Sequence, residues 1–164
     1  MQKISDWRAT FTDHGGWWVV AQFPLLFLAY LIPDRTAQEA VSAAMQWASR
    51  AGLLLLLGLG LLLSAGGAIT LGRWLTPFPR PLAKSELRTS GAYALVRHPL
   101  YSGILFMAFG WSLYALSMEG ALFDLALLAF FDRKAAREEL WLAEKFSGYA
   151  TYRRRVKKLI PWIY

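Results

Sequence analysis

The chain contains no cysteine. Disulfides, thiol nucleophiles and thiolate-held metals are therefore excluded. Histidine is almost absent too. Only His14 and His98 occur, so a histidine-rich zinc or iron site is not expected, and metal is not expected as a partner. No Gly-x-Gly-x-x-Gly fingerprint for a dinucleotide is present. Charge is scarce: Asp, Glu, Lys and Arg make up 18% of the residues, against roughly 25% in an ordinary globular chain. Apolar residues reach 56%. That balance excludes an ordinary soluble domain and points to an integral membrane protein.

The few charges are unequal, with a net charge of +7. In a soluble chain this would suggest nucleic acid. Here the basic residues flank apolar runs, so headgroup contact and topology account for them, and no nucleic-acid partner is expected. No cleaved signal peptide is expected, because the first apolar run starts late and lacks the right flanks. A length of 164 residues fits one domain.

Four apolar segments can be traced. Residues 1–16 are polar, with Trp7 and Phe11 spaced as on one face of a surface helix and His14 as a solvated residue at a helix entrance. Trp17 to Ile32 is apolar apart from Gln22 and is close to the roughly 17–25 residues a span needs. Aromatics mark its ends, and Pro24 is expected to kink it. After a polar connection to Arg50, Ala51 to Leu71 is Leu-rich and uncharged. Gly60, Ser64, Ala68 and Gly72 share one face there, as close helix packing in lipid requires. A basic loop holding Pro77, Pro79 and Pro81 follows to Arg97. Leu100 to Ser117 is a third segment, Met118-Glu119-Gly120 a turn, and Ala121 to Phe131 a short fourth segment containing Asp124. Asp132 to Lys145 is rich in helix formers and should prolong that helix beyond the bilayer. The basic, aromatic tail from Tyr149 to Trp162 reads as an interfacial segment.

The fold expected is therefore all-α: a membrane bundle of about four transmembrane helices, with a cytosolic helical extension and an interfacial C-terminal segment. Lys and Arg concentrate in the middle loop and after Phe131, which puts both termini on the cytoplasmic side of a cell inner membrane. The same count brings the Arg97-His98 end and the Glu138-Glu139 end of the hairpin to one side of the bilayer.

Two stretches carry chemistry. One is Ser90-Gly91-Ala92-Tyr93, then Arg97-His98-Pro99-Leu100-Tyr101-Ser102-Gly103. The other is Arg137-Glu138-Glu139, then Phe146-Ser147-Gly148-Tyr149 and Tyr152, with Ile160-Pro161. Each residue has a plain reading. Glu138 and Glu139 could be a solvated helix face. Arg97 could anchor a helix in headgroups, or neutralise an acceptor carboxylate or phosphate. His98 could be an interfacial cap. Tyr149 and Tyr152 could be interfacial aromatics. Asp124 could be functional or hydrated at the outer interface, the reading preferred here.

Together the two stretches resemble the motifs of the isoprenylcysteine carboxyl methyltransferase family, whose wider group includes membrane phospholipid N-methyltransferases. The resemblance covers about residues 51–164. It implies a membrane methyltransferase using S-adenosylmethionine, with a lipophilic small-molecule or lipid acceptor reached from the bilayer. It divides the single domain 1–164 into an N-terminal helix and first span (1–50) and a catalytic core (51–164). It implies cofactor contacts at Leu95, Val96, His98, Pro99, Tyr101, Gly103, Glu138 and Glu139, and catalytic roles for Arg97 and Glu139. The second motif departs from the family in having Ser147 between Phe146 and Gly148. A membrane reductase using NADPH, as in more distant relatives, and a non-enzymatic scaffold are the alternatives.

Overall fold

The computed structural model describes residues 11–164, so the expected surface helix around Trp7 lies outside the described residues. His14 packs edge-on to Phe78 at 6.3 Å. The first apolar run forms helix α1, Gly16–Leu31, with Pro24 inside it. A single turn, α2 (Thr36–Glu39), follows. It is entered through Asp34, whose carboxylate accepts from the Thr36 amide at 3.1 Å.

The second run forms α3, Ala43–Leu71. It begins before the expected Ala51 because Ser42 caps it, accepting from the Met45 amide at 3.4 Å. After a 3-10 turn at Gly72–Trp74, an irregular stretch leads to the short α4, Ala92–Leu95.

Helix α5, Pro99–Ala115, opens on Pro99, where the missing N–H costs nothing. The hairpin turn falls at Leu116-Ser117, ahead of the expected Met118-Glu119-Gly120. Leu116 takes a left-handed conformation (φ 54). Ser117 then caps α6, Met118–Lys145, by accepting from the Gly120 amide at 3.1 Å. The apolar fourth segment and the charged extension are thus one continuous helix, as expected. Helix α7, Tyr149–Arg155, precedes the tail. Among the described residues there is no strand, only an isolated parallel bridge between Val96 and Lys157.

Two helical stretches, Gly16–Gln38 and Ala43–Trp74, are long and apolar enough to cross a membrane. Their outward surfaces carry large apolar side chains, among them Phe23, Phe27, Leu54, Leu62 and Ile69.

The most extensive helix contact is between α3 and α5. A Cβ added at Gly60 would lie 2.6 Å from the Gly103 carbonyl, and one at Gly103 would lie 2.1 Å from Ser64 Oγ. At Gly67 it would lie 2.9 Å from the Pro99 ring. The small-residue face read from the sequence is therefore a close helix crossing, although Gly72 has no part in it. Gly72 ends the helix at φ 52 with open space beside it. The core beyond this crossing is built from Ala29, Leu105, Leu127, Phe131 and Leu159.

Asp124 is fully buried, with neither carboxylate oxygen hydrogen-bonded among the described residues. The expectation of a hydrated residue at an outer interface does not hold. Where Gly120 lacks a side chain, α6 comes close to Ser112 and Pro33, and this close packing shuts out solvent.

Replacing Gly103 or Gly60 by Ala should lower the thermal midpoint in detergent, equivalent to about 1–3 kcal/mol of overpacking. Gly58, which has nothing within 4 Å of an added Cβ, is the control. Its replacement by Ala should leave the midpoint unchanged or raise it.

Candidate active site

The start of α5 and the extension of α6 meet at one end of the hairpin. His98 is the N-cap residue of α5. Its ring Nε2 lies 3.1 Å from Glu139 Oε1 and its Nδ1 3.7 Å from Glu138 Oε2. The ring stacks almost parallel on Tyr101, centroids 5.4 Å apart. Tyr101 donates its hydroxyl to Glu138 Oε2 at 2.9 Å. One helical turn of α5 therefore presents His98 and Tyr101 to two consecutive glutamates of α6.

Arg97 closes the arrangement from the other side. Its Nε donates to Glu139 Oε1 at 2.9 Å, and a terminal nitrogen of the same guanidinium pairs with that oxygen at 2.8 Å. Its other terminal nitrogen donates to the carbonyls of Arg153 and Val156. The Arg97 and His98 amides donate to the Lys157 and Lys158 carbonyls at 2.8 and 3.2 Å. The C-terminal tail is thus pinned to the first motif. Tyr149, Tyr152 and Leu159 are buried, which overturns the reading of the two tyrosines as interfacial aromatics. Tyr152 donates to the Tyr93 carbonyl at 2.6 Å.

Beside this cluster lies a cavity of about 520 Å³, within the range of small-molecule sites. The basic, proline-containing loop forms one wall, through Trp74, Phe78, Leu82 and Leu87. Tyr101, Glu138, Tyr149 and Tyr152 form another. Trp74 Nε1 is buried there without a hydrogen-bond partner among the described residues, and buried polar atoms normally have one.

The two glutamates live in different fields. Burial raises the Glu138 carboxyl above the usual range, against the opposing pull of His98 and the Tyr101 hydroxyl. Glu139 is also buried, but His98 and Arg97 outweigh that and hold it down at about 2. Burial likewise raises the hydroxyls of Tyr93, Tyr149 and Tyr152 above the ordinary phenol range. A solvated glutamate face is excluded for Glu139, whose side chain is 4% exposed.

Of the residues carried over from the motifs, Arg97, His98, Tyr101, Glu138 and Glu139 come together, and all but Glu139 line the cavity. Leu95, Val96, Pro99 and Gly103 do not line it. Leu95 is exposed, and Val96 is buried against the tail. Pro99 and Gly103 pack on α3. The missing side chain at Gly103 accommodates a helix rather than a ligand. Arg97, with its nitrogens engaged by protein groups, stands as a positioning residue.

The cavity is also lined by Gln22 of α1 and Lys134 of α6, which belong to neither motif. Lys134 is buried, donates to Gln22 Oε1 and has its ammonium 5.1 Å from the Tyr101 ring centre. Burial lowers its pKa to about 8. The only hint in the sequence is that Gln22 is the one amide in an otherwise apolar run.

A sequence profile described as phospholipid methyltransferase matches residues 48–148. A fission-yeast protein-S-isoprenylcysteine O-methyltransferase is 39% identical over 79 residues, covering 47% of this chain and 34% of that protein. Protein-S-isoprenylcysteine O-methyltransferase B of Arabidopsis thaliana is 31% identical over 121 residues, covering 71% of this chain and 61% of that protein. The chain thus spans less than two thirds of the length of these relatives. The resemblance read from the two motifs agrees with both findings.

The Glu139 pairing fixes a pH dependence. A carboxyl held at about 2 in the folded chain, and near its ordinary value when unfolded, stabilises fully above the unfolded value. That contribution is lost as pH falls through the folded one. The gap in unfolding midpoint between the natural chain and Glu139→Gln should be full above about pH 5 and close towards pH 2. A gap that stays constant across that window would mean that Glu139 is not held by this pairing.

Proposed function

The chain belongs to the phospholipid methyltransferase family, and from that premise we propose that it is a membrane methyltransferase. It would move the methyl group of S-adenosylmethionine to a carboxylate or amine of a lipophilic acceptor. The observation that carries this reading is the convergence of His98, Tyr101 and Glu138 on one cavity. A bundle of four spans with both termini in the cytoplasm suits it. The expected inner-membrane location belongs to the same proposal. The two long apolar helices and the exposed apolar surface support placement in a bilayer.

The cavity fits such a cofactor in chemistry as well as volume. It is largely apolar, it exposes part of one carboxylate, and it holds an unpartnered donor at Trp74. S-adenosylmethionine supplies an electrophilic methyl on a sulfonium. The chain's task is then to bind, align and exclude water. Alignment of this kind can contribute about 7–11 kcal/mol to lowering a barrier.

Glu138 is suited to the cofactor's cationic end, being a quarter exposed and oriented by Tyr101. Trp74 has a donor for its hydroxyls or ring nitrogens. Arg97 and Glu139 hold His98 and the tail in place around the cavity. A carboxylate acceptor needs no general base, whereas an ammonium acceptor must first lose a proton. S-adenosylhomocysteine binding separates the reductase and scaffold readings from this one.

Purified in detergent, the chain should bind S-adenosylhomocysteine saturably, show no such binding of NADPH, and pass a tritiated methyl to an amphiphilic acceptor. Glu138→Gln should weaken S-adenosylhomocysteine by about tenfold or more, which is about 1.4 kcal/mol. Unchanged affinity in both Glu138→Gln and Glu139→Gln would remove the site assignment.

A further inference from the structure

We propose that Lys134 and Gln22 form an anion-binding subsite that recognises a negative group on the acceptor. That group is either the carboxylate that receives the methyl or a phosphodiester beside a receiving amine. This rests on the methyl-transfer reading and adds a charge requirement to it.

The cations of the cavity are unequally paired. Three cations line the cavity: Arg88, Arg97 and Lys134. Arg88 pairs with Glu86 at 3.2 Å, and Arg97 pairs with Glu139. Lys134 forms no ion pair with any described residue, although it is 1% exposed. A buried charge is costly unless it is paired and hydrogen-bonded. An ammonium has three N–H donors. Gln22 Oε1 takes one, and the rings of Tyr101 and Phe131, at 5.1 and 6.0 Å, offer only their faces.

Glu138 acts on Lys134 only at longer range: it favours the ammonium against burial but forms no ion pair with it. It lies one turn along the same helix, and its carboxylate is turned to Tyr101 and His98. The cavity therefore carries opposite charges one helical turn apart on α6. Glu138 offers a carboxylate, suited to a cationic ligand. Lys134 offers an ammonium beside an amide that also carries two N–H donors. An anion entering there would take bonds from Lys134 and Gln22 and balance the buried charge. An acceptor bearing only an ammonium would meet like charge there.

Gln22 sits in α1, one of the two helices long enough to span a bilayer. A polar residue in such a helix marks a functional place when it faces the interior and has a partner. The subsite thus joins α1 to the motif-bearing hairpin, and it gives the first 50 residues a part in acceptor choice.

The test is equilibrium dialysis of three amphiphiles against the full chain in detergent, with and without S-adenosylhomocysteine. They are N-acetyl-S-farnesylcysteine, a short-chain phosphatidylethanolamine, and S-farnesylcysteamine, which carries an amine alone. At least one of the two probes that carry an anionic group should bind about tenfold or more tighter than the amine, and which one binds tells carboxylate from phosphodiester. Lys134→Met should erase the preference while S-adenosylhomocysteine affinity stays within about twofold, and Lys134→Arg should keep it.

Met replaces a buried unpaired charge by an apolar chain of similar length, so folding should survive; Gln22→Leu, which should weaken the preference, provides a second variant. Equal or tighter binding of the amine by the natural chain would overturn the proposal, as would a preference that Lys134→Met leaves intact. Failure of the natural chain to bind S-adenosylhomocysteine would instead strike the methyl-transfer reading, while the probe ratio still judges the subsite.

Discussion

The contact on which the rest depends is the buried pair between Arg97 and Glu139. It joins three pieces of chain that are remote in sequence: the entry to the hairpin, its exit, and the tail that Arg97 holds through the Arg153 and Val156 carbonyls. Desolvating both groups is costly. The guanidinium recovers that cost through charge-assisted bonds to one carboxylate oxygen and two carbonyls. Removing one partner strands the other in a buried place, which typically costs about 3–5 kcal/mol. The pair is best understood as the fastening of the site, with the reactive work left to the groups around it.

That fastening works only because α5 is already seated. Gly60 and Gly103 let α3 and α5 approach to backbone contact, and Pro99 lies against Gly67. Gly91, at φ 59, packs on Thr70 and begins the turn into α4. These contacts fix where α5 starts, and hence where His98 and Tyr101 point. Small residues therefore serve the site indirectly, since close packing is what holds helices together in lipid.

Inside the cavity the charges are separated by purpose. Glu139 is consumed by Arg97 and His98. Glu138 keeps an exposed edge. Lys134, one turn away on the same helix, has the Gln22 amide and two ring faces beside it and no ion pair among the described residues. A mostly apolar wall surrounds them, and in such a setting each charge acts more strongly than it would in water. A cationic donor and an anionic acceptor could then be held side by side, each with its own counter-group.

The sequence by itself determined the helical class, the apolar segments and the meeting of the two motif ends. Each of these depends on local composition, on the spacing of apolar and small residues, or on the topology that basic loops impose. The resemblance of the two motifs to a known family singled out His98, Tyr101, Glu138 and Glu139. Tertiary structure decided what composition cannot encode: which neighbour each of these residues meets. Gly103 turned out to face a helix, Arg97 to bind the protein itself, Tyr149 and Tyr152 to be buried, and Asp124 to be dry. Lys134 and Gln22 are far apart in the chain and belong to no motif, so only the packing of α1 against α6 could bring them together.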